Sequence, residues 1–212
     1  MIITYQGLQF IKIQQGDLTI AVNPIAKTSK HKSSRFGADI ALCSLNHEDM
    51  NGVDMVAHGD RNPFVISGPG EYEVGGIFVK GFASPSHYGG SEKVNTIYSF
   101  IVDGINVCFL GAHDNANLSA EVKEAIDGVD ILFVPIGGQG VLNAVEASKL
   151  AVKMEPKIVI PVHYGEVGDK DALKIFLKES DAEGTKSVDK LTLKRKDLDG
   201  KDGDVFVLEA QG

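Results

Sequence analysis

Four histidines of this chain stand just past apolar runs, where a strand should end and a loop begin. His47 and Asp49 lie two apart in "SLNHEDMNG", after the run "ADIALC"; His163 ends "KIVIPVH". His113 follows "VCFLGA" with Asp114 beside it, and His87 lies in "FASPSHYGG", a loop flanked by Pro and Gly. Imidazoles and carboxylates at strand ends are the groups that hold zinc-like ions, or that exchange protons with a bound substrate. Taken singly, each is equally an ordinary loop or core histidine, and a lone His-x-Asp pair is weak. Four strand exits delivering the same chemistry carry more weight.

Other chemistries find less support. Cys43 lies inside an apolar run, and neither "GLQF" nor "SPSH" has the form of a nucleophile elbow. In "DLDGKDGDVFVLE", counting from Asp197 puts Lys201 fifth and Asp202 where a calcium loop needs its sharp-turn Gly, so a charged hairpin turn is expected instead. "PIGGQGV" is glycine-rich but lacks phosphate-loop spacing and its Lys-Ser/Thr ending.

The elements that must position these groups change rhythm midway. The first half reads as short strands rich in Val, Ile, Phe and Tyr, broken by Gly, Asp, Asn or Pro: "IITYQ", "LQFIKIQ", "LTIAVN", "ADIALCS", "PFVIS", "GIFVKGF", "TIYSFIVDG" and "INVCFLGA". An antiparallel meander is expected there, with tight turns at "QQGD" and "VDGIN". In the second half, helices alternate with strands. "LSAEVKEAI" has Ser119 as N-cap, and "LNAVEASKLAVKM" has Asn143 as cap with Pro156 past its end; "KDALKIFLKES" is a third helix. "VDILFVPIG" and "KIVIPVHYG" read as strands buried on both faces. Pro161 has no N–H for a central ladder, which predicts a strand end or a bulge beneath a site. "KLTLKRKDL" and "DVFVLEA" are expected as two alternating strands around "DGKDGD". No linker or repeat divides the chain, so one domain over residues 1–212, with two sheets covered by helices, is expected.

Composition narrows the partners. The 212 residues carry 21 basic and 29 acidic side chains, a net charge of −8, which argues against a nucleic-acid footprint. No apolar run has the roughly 18 residues a membrane span needs. Cys43 and Cys108 sit in strand-like runs as small buried hydrophobes, and a cytoplasmic location is expected. The partner is not legible; a homo-oligomer or association with a homologue stays open.

The segments "ADIALCSLNHEDMNGV", "SGPGEYEVGGIFVKG", "CFLGAHD", "VDILFVPIGG" and "PKIVIPVHYGE", in this order and spacing, resemble the metallo-β-lactamase superfamily, in its branch of small bacterial single-domain metal-dependent hydrolases. The resemblance covers nearly the whole chain. It implies an α+β, four-layer αββα sandwich of two mixed sheets flanked by helices, with a metal site at one edge. It further implies a His-x-His-x-Asp-His signature, a middle His, a bridging Asp and a last His. On this chain those positions fall on Leu45, His47, Asp49, Met50, His87, Ala112 and His163. Leu, Met and Ala at three of seven positions leave two ligands for each metal of a pair, and no bridging carboxylate. Two expectations follow from the resemblance. Either no cofactor is held, and the chain is a binding or scaffold protein whose Leu45 and Met50 fill the vacated volume. Or one zinc ion is held by His47, Asp49, His87 and His163 in a mononuclear hydrolase of an ester, amide or phosphodiester, with Asp49 doubling as proton acceptor. His113 is offered as a substitute for the missing bridge, although a one-residue shift along a strand usually points the side chain the other way.

Overall fold

The computed structural model describes residues 1–32 and 34–211. In chain order the first strands are β1 (Ile2–Tyr5), β2 (Ile11–Gln15), β3 (Leu18–Val22), β4 (Ile40–Leu42), β5 (Phe64–Ile66) and β6 (Gly70–Val74). Then come β7 (Ile77–Ser86), β8 (Lys93–Val102), β9 (Ile105–Phe109), β10 (Ile131–Pro135), β11 (Ile158–Val162), β12 (Leu191–Thr192) and β13 (Asp204–Val205). They form two sheets, ordered β12-β1-β2-β3-β4-β5 and β13-β11-β10-β9-β8-β7-β6. Both are mixed. The inner faces meet in one apolar layer that includes Ile3, Ile13, Ile20, Phe100, Val107, Phe133 and Ile160, all nearly inaccessible to solvent.

Three helices, α1 (Ala120–Ala125), α2 (Ala144–Met154) and α3 (Ala172–Glu179), bury Val122, Leu150 and Phe176 with the outer face of the second sheet. Their starts follow the sequence. Ser119 Oγ accepts the Val122 amide, and Asn143 and Glu146 cap each other reciprocally at the head of α2. Over the first sheet the outer layer is made differently: Ile25, Phe36, Ala38, Val53 and Val56, from irregular chain and a single 3-10 turn, cover Phe10, Ala21 and Ala41. Among the described residues no helix is long and apolar enough to cross a membrane.

The expected meander holds only in part. β1, β2 and β3 are antiparallel neighbours, but β3, β4 and β5 run parallel, because residues 23–39 and 43–63 cross over outside the sheet. The expected terminal hairpin is replaced too. β12 joins β1 in the first sheet and β13 joins β11 in the second, while Arg195–Leu198 is a 3-10 turn, so "DGKDGD" crosses between sheets. Its last acid is engaged locally: Lys201 Nζ reaches Asp204 Oδ2 at 2.6 Å. Pro161 sits inside β11, on the ladder edge that faces β13. β13 has ended by then, pairing only as far as Val159, so the missing N–H faces no strand.

Where the second sheet meets the C-terminal turn, Asp130 is 1 % exposed and accepts three donors. These are the Asn106 amide at 2.9 Å, Lys157 Nζ at 2.7 Å and Arg195 Nη1 at 2.8 Å. A buried carboxylate so supplied has its oxygens satisfied by protein donors.

Candidate functional site

The chain following β3, β4, β7, β10 and β11 gathers at one edge of the sandwich around a cavity of about 460 Å³. Its lining includes His31, His47, Asp49, Tyr88, Gln139 and His163. Strand exits are where such folds place their chemistry, since backbone there is freed from the ladder.

Asp49 is the centre of the polar side. It is 4 % exposed, and each oxygen meets a hydroxyl donor: Ser29 Oγ at 2.5 Å from Oδ1, Tyr88 Oη at 2.7 Å from Oδ2. Burial alone would raise its carboxyl. The hydrogen bonds from Ser29 and Tyr88 are the largest effects opposing this, and the balance holds it below the ordinary carboxylate value. Tyr88 responds in the opposite sense, its phenol pushed up by burial and by the adjacent Asp49 charge. The Tyr88 ring stands between two imidazoles, edge-on to His47 at 4.9 Å and to His163 at 5.5 Å. His163 is 2 % exposed with a left-handed backbone at φ 62°, and burial lowers its imidazole to about 4 despite the attraction of Asp49.

The opposite side is apolar. Leu45, Met50 and Ala112 are fully buried and pack with Tyr88 and Val141 as a separate small cluster. The loop bearing Leu45 and Met50 is held by close backbone contact. Gly52 N–H donates to Pro24 O and Ala26 N–H to Glu48 O, both at 2.7 Å, and a Cβ at Gly52 would stand 2.3 Å from the backbone of Ile25 and Ala26. Gly52→Ala should therefore push the 24–32 segment off the cavity and lower the unfolding free energy by about 1–3 kcal/mol, the usual cost of overpacking. Urea denaturation checks it, and an unchanged midpoint would rule out the close approach.

His87 does not join the others. Its side chain is 59 % exposed, and its Nδ1 lies 2.6 Å from Asp114 Oδ2, with Glu92 at 3.8 Å from Nε2. Convergence of His47, Asp49, His87 and His163 on one ion is thus not the arrangement found: Asp114 holds His87 at the surface, outside the cavity lining. Nor does His113 substitute for the bridge. It is buried against Ser84, 3.3 Å from Nδ1 to Oγ, its Nε2 has no partner, and burial lowers its imidazole. Among the described residues no three His, Cys, Asp or Glu side chains form a group able to hold a metal ion. Cys43 and Cys108 are free and buried, their thiols raised to about 12 by desolvation.

Sequence reasoning missed Ser29, His31 and Tyr88. The signal for Tyr88 was its place next to His87, in a loop already singled out. His31 and Ser29 lie in the polar stretch "KTSKHKSS", which starts several residues past β3 and gave no periodic cue.

Two facing mixed sheets, helices outside, and a loop-lined polar cavity at one edge define the metallo-β-lactamase fold class. The chain belongs to the β-lactamase superfamily: the family described as the beta-lactamase superfamily domain matches residues 2–163. It is similar to a metal-dependent hydrolase of Lysinibacillus sphaericus, 25 % identical over 198 residues that cover 77 % of this chain and 85 % of the relative. A protein of Pyrococcus furiosus is 40 % identical over 104 residues, 48 % of this chain and 45 % of its own. Among solved structures, one described as a Zn-dependent hydrolase of the metallo-beta-lactamase superfamily, from Thermotoga maritima, superposes with a TM-score of 0.77 at 27 % identity, covering 98 % of both chains.

Proposed function

We propose that this chain is a metallo-β-lactamase-fold protein whose two-metal site has been converted into a metal-free polar pocket, and that it works by binding and not by two-metal hydrolysis. One observation carries this reading. Asp49 spends both oxygens on Ser29 and Tyr88, while Leu45, Met50 and Ala112 close the facing volume with apolar side chains. The donor set does not fit a pair of metals. Leu and Ala offer no ligand, a thioether suits soft ions, and nothing at residue 112 can bridge two ions. The names of the relatives support a metal in the family in general. Here the residues that would hold it are committed to one another.

A second reading is favoured by the entry of His31 into the cavity. There, beside His47, Asp49 and His163, it would take the part expected of His87 in a mononuclear site. Metal analysis of protein purified without chelator or added metal separates the two. The binding reading expects no stoichiometric metal and no change of melting temperature on adding zinc. Stoichiometric zinc, manganese or iron, lost in His47→Ala, would establish the mononuclear hydrolase instead.

A further inference from the structure

Three polar side chains lie fully buried behind His163: Gln9, Asn23 and Ser44. Their orientation is fixed from the end anchored in the backbone. The Ser44 amide, able only to donate, meets Asn23 Oδ1 at 2.7 Å. The Asn23 amide nitrogen therefore faces the other way, donating to Ser44 Oγ at 2.8 Å and to Gln9 Oε1 at 3.3 Å. With its oxygen so used, Gln9 turns Nε2 toward His163 Nδ1, 3.5 Å away. The contact is long, and this orientation of Gln9 makes Nδ1 the receiving atom. A neutral imidazole that accepts at one nitrogen carries its proton on the other, so His163 has N–H at Nε2.

His47 reaches the same state by a shorter route. The Asp49 backbone N–H donates to His47 Nδ1 at 3.2 Å, while the Asp49 carboxylate stands farther from it, at 3.5 Å. An amide proton can serve in only one direction, so Nδ1 again accepts and Nε2, beside Gly89, carries the hydrogen. Among the described residues nothing pairs with Nε2 of either ring, and both rings line the cavity. Metal-bound histidines show the reverse polarity, donating from the nitrogen that does not bind the ion. Here neither ring presents a lone pair at Nε2.

We propose that Ser44, Asn23 and Gln9 form a specificity-determining relay. It holds His163 as an N–H donor, as the loop amide holds His47, so the cavity offers two Nε2 donors to an acceptor oxygen of a bound molecule and no Nε2 lone pair to a metal cation. This rests on the metal-free reading above, yet the two fail differently. Proton-coupled nitrogen NMR of the ¹⁵N-labelled protein at neutral pH should show Nδ1 unprotonated and Nε2 protonated for both rings. A wild-type His163 protonated at Nδ1 overturns the relay whatever the metal content. Stoichiometric zinc in the wild type overturns the metal-free reading itself.

Asn23→Asp tests causation. A carboxylate at that position can no longer donate to Gln9 Oε1, so the Gln9 amide should rotate, present its oxygen to Nδ1 and move the His163 proton there. Zinc affinity should then rise by about 10- to 100-fold, the scale on which outer-shell partners act. Gln9→Glu, which places an acceptor against Nδ1 directly, should do the same. A moved proton with no gain in zinc affinity would sink the claim that the relay excludes metal. The wild-type spectrum decides the relay even where a variant does not fold.

Discussion

Between pH 6.5 and pH 4 the protein should lose about 3 kcal/mol of unfolding free energy through His163 alone. The imidazole ordinarily titrates at 6.5 and is lowered to about 4 by burial. Over that interval the unfolded chain binds a proton that the folded chain refuses, so stability falls as pH falls; above 6.5 the two states bind alike and the slope vanishes. His113, also lowered by burial, adds a loss of the same sign. Asp49 acts later. Its carboxyl is held below the ordinary 3.8, so its contribution is present above that value and is lost only in stronger acid. Urea denaturation at half-unit pH steps measures the slope. His163→Asn, which tolerates the left-handed backbone at φ 62°, should flatten much of it. A wild-type slope near zero across the interval would show that the His163 ring is hydrated.

The largest rearrangement should come from placing ligands together at the three positions proposed as vacated, as Leu45→His, Met50→His and Ala112→Asp. All three side chains are buried in one apolar cluster with Tyr88 and Val141. Without metal, each new polar group costs about 1–3 kcal/mol, and the triple variant should melt well below the wild type. Zinc should reverse this. The imidazole placed at residue 50 and the carboxylate at 112 would stand with Asp49 and His163, and an ion bound only by the folded state raises stability in proportion to the logarithm of its concentration. Calorimetry with and without zinc should show a large metal-dependent rise in the variant and none in the wild type. A variant that folds but melts identically in both conditions would mean that Leu45, Met50 and Ala112 are not the vacated positions.

What the sequence made legible follows from how local each cause is. Caps at Ser119 and Asn143 depend on a side chain and an amide three residues away, so they could be read directly. The parallel pairing of β3, β4 and β5 depends on where residues 23–39 and 43–63 travel, and no local pattern announces that. At the site, the positions of His47, Asp49 and His163 were visible as polar residues at strand exits. The outward turn of His87 was not, because it is decided by Asp114, 27 residues away. The same holds for Gln9 and Asn23, polar residues in apolar stretches whose meaning appears only when three segments are brought together.

Asp130 has a kinetic consequence. Its donors come from Asn106, Lys157 and Arg195, separated from it by 24, 27 and 65 residues, so its ion pairs close only after β9, β10, β11 and the C-terminal turn have met. Contacts that complete so late contribute little to the folding transition state, and their energy falls on the unfolding barrier. Asp130→Asn is therefore expected to speed unfolding more than it slows folding, which the two arms of a denaturant chevron would measure.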